Sequence, residues 1–265
     1  MLKKKPQKNN LKLAGIFISA VLGLILLSFI VKLFLIVQDS KFDGKHKFNV
    51  LLENRSESYI VSLSPETRSI STVKVSPSQD INKQLDIPID GSIKEKGNIN
   101  INNLSTLFLK ADFPFGQKVN GLTFLDLIRL ALFSRTISAG STYSRELTGG
   151  LSMAQKNTII SLTFTDSTIY EENQSIEVVN STKVNGLGAR FAAFISNIGG
   201  NPILVSNSEN EESRSQIIYY GKESYTVKKL SSYFNLIKQA RKPSDRGISD
   251  VIIILGNDLA KSNKF

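Results

Sequence analysis

Between positions 180 and 190 the chain reads NSTKVNGLGAR, a short stretch with the right residue types to hold an anion. Lys183 and Arg190 are cations, Gly186 and Gly188 leave the backbone uncovered, and Asn180 and Asn185 carry amide side chains. An apolar run over 176–179 precedes it, and Leu187, Phe191, Phe194 and Ile195 follow at helical spacing. This pattern predicts strand, polar turn and helix, with Asn185 as the helix N-cap. The start of a helix presents N–H groups without partners and the positive end of the helix dipole. With Lys183 and Arg190 close by, the turn could hold a phosphate or a carboxylate. Asn180, Lys183, Asn185, Gly186, Gly188 and Arg190 are therefore the candidate ligand-binding residues. A dinucleotide loop is a poor description of them. The third glycine of a G-x-G-x-x-G would fall at Phe191, and Val205-Ser206-Asn207 puts no acid at the end of the next strand.

Other chemistry is sparse. The chain has no cysteine, which excludes disulfides and thiolate metal sites, and its one histidine, His46, lies just past a long apolar run. A multi-histidine metal centre and a Ser-His-Asp triad both need a histidine inside a folded site. Glu209, Glu211 and Glu212 sit among Ser and Asn and read as a solvated loop. No catalytic residue, metal ligand or cofactor is assigned. The net charge of +10 points to nucleic acid only until it is divided. Lys3, Lys4, Lys5, Lys8, Lys12 and Lys32 precede any acid, and the rest of the chain carries only +4. No clustered basic face with stacking aromatics is visible, so no nucleic-acid partner is expected.

The elements that position the turn begin with a membrane anchor. Residues 13–31 carry no charge. At ~1.5 Å per residue they give about 28 Å of helix, close to the thickness of a bilayer core. Lys32 interrupts the run, which resumes to residue 37. A lysine there can reach the interface or meet an acid on a neighbouring helix. A cleaved leader has a shorter core and a small-x-small site, which VQDSKFDGK lacks. The expectation is an uncleaved signal anchor at 13–37 with a basic tail, 1–12, in the cytoplasm. Everything past about residue 38 then lies outside.

Residues 39–47 read as a polar tether. Strands are expected at 48–52, 59–63, 69–75 and 158–164, loops at 86–91 and 138–156, and a helix at 122–133. On that helix Leu122, Leu125, Ile128, Leu132 and Phe133 should face the core, and Asp126 and Arg129 solvent. The last third is more regular: strands at 176–179, 202–205, 216–220 and 251–255, and helices at 187–197 and 225–240. That order, β-α-β-β-α-β, suits a four-stranded sheet carrying two helices, with the wholly apolar VIIIL strand central and covered on both faces. The fold class is α+β: an N-terminal transmembrane helix, an α/β middle domain (48–165) and a smaller C-terminal domain (174–260).

FNVLL followed by YIVSLSPETRSISTVKVSP resembles the first hairpin of the LytR–CpsA–Psr family, and LDIPIDGSI its later Ile-Pro segment. Those are membrane-anchored bacterial enzymes that move lipid-pyrophosphate-linked glycopolymers onto the cell wall. Their site residues do not carry over. Where the family has a proline followed by arginine and aspartate, this chain has Pro77, Ser78, Gln79, Asp80. Where it has a metal-binding aspartate, this chain has Arg55, Ser56, Glu57, Ser58. Residues 174–260 resemble the LytR C-terminal domain family. Asn180, Thr182, Gly186, Leu187, Ala189, Tyr220, Gly221, Gly256, Asp258 and Leu259 stand at the matching positions.

Together these imply a membrane-anchored, extracytoplasmic bacterial envelope protein with a non-catalytic binding or scaffolding body. Its expected partners are the membrane and a cell-wall polymer or another envelope protein. The alternative is a divergent magnesium-dependent glycopolymer phosphotransferase, which would need two arginines and two carboxylates converging in 48–165.

Overall fold

A computed structural model describes residues 8–76, 85–111, 118–147 and 150–262. The expectations for Lys3–Lys5 and for Pro77 to Asp80 fall outside the described residues. Helix α1, Lys8–Asp39, is continuous. Its described side chains from Leu13 to Asp39 are exposed, and the stretch is long and apolar enough to cross a membrane. At ~1.5 Å per residue those 27 residues reach about 40 Å. Lys32 is exposed near its far end.

The middle region is a six-stranded mixed sheet in the order β5-β4-β1-β2-β3-β6. Its strands are β1 (Phe48–Glu53), β2 (Ser58–Ser64), β3 (Ser69–Val75), β4 (Gly91–Lys94), β5 (Lys118–Asn120) and β6 (Thr142–Leu147). The antiparallel meander β1-β2-β3 forms as its alternation predicts, while β4 and β6 join in parallel. Every residue of β2 is buried because the sheet is covered on both faces. Tyr59, Val61 and Leu63 pack with Leu107 and Phe108 of α2 (Leu104–Ala111) and Leu127 and Leu130 of α3 (Phe124–Thr136). Ile60 faces the other way, into a core with Val73, Ile160 and Phe164.

Three expectations fail here, each for a local reason. Residues 158–164 (TIISLTF) are not a strand but the end of α4, Met153–Phe164. Ser152 and Gln155 form a capping box that starts the helix, and Ile160, Thr163 and Phe164 are buried at i, i+3, i+4. The segment expected as loop contains β6, whose residues are mostly exposed at the sheet edge and so show no apolar pattern. On α3 the buried face is Asp126, Leu127, Leu130 and Ala131, whereas Leu132 is exposed.

Asp126 also overturns the tether. The first residues after α1 are held to the body. Asp126 Oδ1 accepts hydrogen bonds from Ser40 Oγ (2.8 Å), Lys41 N (2.9 Å) and Phe42 N (2.8 Å). Its Oδ2 accepts from Thr123 N and Oγ1, both at 2.8 Å, which caps α3. Arg129 Nη1 donates to Ser40 Oγ and to the Phe42 carbonyl. Phe42 is buried edge-on against Phe48 and Phe133. Burial acts to raise the pKa of Asp126, but the hydrogen bonds from Thr123, Phe42 and Ser40 outweigh it and hold the carboxyl below the usual range. The folded pKa is thus below the unfolded one. The stabilisation is complete above the ordinary carboxylate pKa of 3.8 and is lost as pH falls through the folded value.

The C-terminal region has the expected class but one strand more. Its sheet is five-stranded, β10-β9-β11-β7-β8, not four. The strands are β7 (Ser175–Asn180), β8 (Asn201–Asn207), β9 (Gln216–Tyr220), β10 (Ile237–Arg241) and β11 (Val251–Leu255). The expected helix 225–240 stops early. Helix α7 covers Tyr225–Phe234, Asn235 turns left-handed (φ 56°), and the chain returns as β10 parallel to β9. The strand β11 is central, as its apolar run predicts. It is sealed on one face only, with Ile252 and Ile254 half-buried on the other. The sealed face carries one core, in which Val178, Ile217 and Ile253 meet Ile169 of α5 (Ser167–Glu172), Phe191 and Ile195 of α6 (Leu187–Asn197) and Val227, Leu230 and Phe234 of α7.

Candidate functional site

The candidate turn forms where β7 ends. Asn180 is buried, and its side chain builds the turn. Oδ1 accepts from Thr182 N (3.2 Å) and Thr182 Oγ1 (2.7 Å), while Nδ2 donates to the Val184 carbonyl (3.1 Å) and Asn207 Oδ1 (3.4 Å). The Asn-x-Thr pattern is thus a hydrogen-bonded bend between strand and helix. The N-cap is Gly186, not Asn185. Gly186 has φ +78° and supplies no side-chain cap, and Asn185 is exposed one residue outside. A left-handed position favours glycine over a side chain that would have to cap in an extended conformation. Gly188 has a different reason. A Cβ there would lie 3.0 Å from Val205 Cγ1, so glycine lets α6 approach β8.

Both cations of the turn face carboxylates. Lys183 Nζ lies 2.9 Å from Glu211 Oε1 on the exposed acidic loop. Arg190 Nη2 lies 2.8 Å from Asp86 Oδ1 in the middle region. The second pair belongs to a contact between the two sheets' layers that sequence reasoning missed. Asn197 Nδ2 donates to the Leu85 and Asp86 carbonyls, the Ile89 amide donates to Tyr233 Oη, and Lys229 Nζ meets Asp90 Oδ1 at 3.2 Å. The LDIPID stretch is therefore not a free loop but the seat on which α6 and α7 rest. Leu85 to Asp90, alternating apolar and acidic residues around a proline, was the only sequence trace of it.

The remaining signature residues also hold structure. Gly256 N donates to Ser215 Oγ (2.8 Å), and Asp258 Oδ1 accepts from Ser215 N (2.9 Å) and Ser215 Oγ (2.6 Å). Gly-x-Asp thus clamps residues 214–215 across the end of β11. Gly221, at φ +82°, turns the chain after β9, and its N–H donates to the Arg241 carbonyl.

In the middle region Arg129, Arg135 and Arg145 lie at three separate places. Arg129 is in the Asp126 cluster, Arg135 Nε donates to Ser105 Oγ, and Arg145 lines a cleft beside β3. Among the described residues no group of three histidine, cysteine or acidic side chains is placed to share a metal ion. The Arg55–Ser58 segment is the β1–β2 turn, at the end of the sheet remote from that cleft. His46 stacks on Tyr225 at 3.9 Å between ring centres and shares a hydrogen bond with Asp43.

Among the described residues Lys47 is the most perturbed amine. Burial depresses its pKa to about 8, against the opposing pull of Asp166 and Glu66, while Nζ donates to the Thr163 carbonyl (2.6 Å). Its folded pKa is below the unfolded 10.5, so folding bears the full cost of the buried charge below pH 8 and is relieved of it as pH rises toward 10.5. Lys47→Met is expected to raise stability at neutral pH by about 1–3 kcal/mol. The difference from the parent should shrink above pH 9. Urea unfolding at pH 7 and pH 9.5 measures both, and an equal gain at the two pH values would contradict this account.

A long apolar helix joined to a mixed α/β body, with a small α+β module resting on it, is the build of a membrane-anchored protein. The module's family can be given more closely. Residues 173–259 match the family model described as LytR cell envelope-related transcriptional attenuator, so this region is similar to the LytR C-terminal domain family. No curated protein matches the chain. Among solved structures, it is similar to a crystal structure of fragment 52–321 of Lmo1026 from Listeria monocytogenes, at 10% identity over 83% of this chain and 95% of that one. The TM-score is 0.19, too low for any argument about the middle region.

Proposed function

We propose that this is a single-pass envelope protein, N-terminus in the cytoplasm, whose body outside the membrane binds or scaffolds and does not catalyse. The observation that carries the reading is the direct joint between α1 and a body bearing a cell-envelope domain. The lysines before the span support the orientation, because positive loops stay on the cytoplasmic side. The dispersal of Arg129, Arg135 and Arg145 favours binding over transfer of a pyrophosphate-linked polymer, because such transfer needs convergent cations around the developing charge. We assign 48–165 and 174–260 as the two units of the body, with a cell-wall polymer or another envelope protein as partner.

Two experiments test this. Protease added to intact cells should digest the body and spare an N-terminal tag, and the opposite pattern would overturn the topology. Pull-down with and without residues 1–38 separates the partners. A protein recovered only with the span binds through the helix and Lys32, whereas wall material recovered by both forms binds the body.

The turn at 180–190 is the proposed ligand-facing element of the C-terminal module. A phosphate there must compete with Glu211 for Lys183, so affinity in the millimolar range is expected. Amide shifts at Asn185 to Ala189 during a phosphate titration would support it, and unmoved signals at 50 mM, on the order of ten times that affinity, would end the idea.

A further inference from the structure

One cleft in the middle region is chemically unlike the rest of the surface. Val73 and Val75 of β3 point into the apolar core under α4. Two and four residues earlier, on the same face, stand Ser71 and Ser69. The neighbouring edge strand contributes Tyr143, which pairs with Ser71, and Arg145, which pairs with Val73. The apolar layer therefore opens into a polar cavity of about 210 Å³ at this end of the sheet, closed by the last turn of α4.

Its charges are arranged for a ligand. Lys47 and Arg145 both line it; Lys47 feels Asp166 and Glu66, whereas among the described residues no carboxylate pairs with Arg145. Arg145 Nη1 is sealed from solvent with no hydrogen-bond partner, while its guanidinium sits 5.7 Å from the Tyr143 ring centre. One nitrogen of the half-buried guanidinium is thus unhydrated, and an anion meeting its open edge gains more than it would at a fully exposed arginine. Glu66 also lines the cavity, held by Ser167 Oγ (2.6 Å) and Thr168 Oγ1 (3.2 Å). Glu66 and Asp166 offset Lys47, so Arg145 is the cation left to a ligand, which fits a monoanion better than a phosphate dianion. Glu66 and the serine hydroxyls then remain to accept from donors on the ligand. The volume lies below the roughly 300–1,000 Å³ of ordinary small-molecule pockets, so it admits one small unit or a chain end.

We infer that this cavity binds a small carboxylate bearing hydroxyl or amide donors, either a free acid or the carboxyl end of a longer chain. The carboxylate pairs side-on with Arg145, Lys47 balances the protein's own acids, and the ligand's donor reaches Glu66 or Ser71. The site lies on the middle region and is independent of the turn at 180–190, so the two can fail separately.

The test uses the full chain in detergent micelles, followed by amide shifts at Tyr143 to Arg145. The probes are lactate, N-acetyl-Ala-Ala, and the same dipeptide as its C-terminal amide. Saturable shifts with a carboxylate probe and at least tenfold weaker binding of the amide are expected. Preference for lactate selects a free acid, and preference for the dipeptide selects a chain end. Arg145→Gln should weaken binding at least tenfold. Ser71→Val, which fills the cavity and leaves both cations in place, should do the same even if the arginine variant folds poorly. No saturable shift with either carboxylate, equal binding of the amide, or binding unchanged in both variants would overturn the inference.

Discussion

Asp126→Ala is expected to lower the unfolding free energy by about 3–5 kcal/mol, the range seen when one partner is removed from a buried charged network. The carboxylate is fully buried and accepts five hydrogen bonds. Alanine would leave the Lys41 and Phe42 amides and the Thr123 cap without an acceptor, and Arg129 without a nearby negative charge. Each orphaned buried donor costs about 1–3 kcal/mol, so relaxation of the 40–42 segment into solvent must limit the loss. That relaxation is itself measurable. Proteolysis between residues 40 and 47 should accelerate in the variant before the body unfolds. Asp126→Asn should fall between, because its Oδ1 can still accept from residues 40–42 while its NH2 faces the Thr123 donors. A change below about 1 kcal/mol for Asp126→Ala, by thermal or urea unfolding, would mean the clasp does not hold the body.

Gly256→Ala should be nearly as damaging, although its φ of −103° is ordinary for any residue. The obstacle is space. An added Cβ would lie 2.6 Å from Arg214 C and 2.8 Å from Ser215 N, closer than such contacts occur, and both atoms belong to the backbone. The segment cannot retreat without breaking the Ser215–Asp258 and Ser215–Gly256 hydrogen bonds. Overpacking costs about 1–3 kcal/mol where side chains can adjust, and about 3 or more is expected here. Gly247→Ala serves as the control, since nothing lies within 4 Å of its added Cβ. Equal melting temperatures for the two variants would refute the close-approach account.

Legibility of the sequence followed the source of each element's stability. The strands β1 to β3 and β7, β9 and β11 are buried enough that their apolar pattern alone marks them. The edge strands β6 and β10 are exposed and largely polar, so Thr142–Leu147 and Ile237–Arg241 carry no such pattern, whereas β8, an edge just as exposed, is marked by its apolar PILV run. Their existence depends on β3 and β9 offering free edges. The α4 helix was readable in principle from Ser152 and Gln155, but its β-branched run TIISLTF pointed to strand. On α3 the apolar count chose the wrong face. The true one includes a carboxylate whose donors stand more than eighty positions earlier, at Ser40 to Phe42, and no local window contains both. The order strand, turn and helix over 175–197 forms as expected, yet the partner of Arg190 was hidden because Asp86 lies 104 positions earlier in a stretch read as loop.

The grip of Asp126 on residues 40 to 42 also sets how far the body can reach. A slack leash of eight or nine residues would let it wander over roughly 15–18 Å and search a hemisphere of space. Held at the first residues past the helix, it stands at one height and sweeps only by turning with its anchor. Anything it engages must come to that height, and the freedom a leash would forfeit on capture has already been given up in folding. The protein behaves as a post and not as a tethered hook.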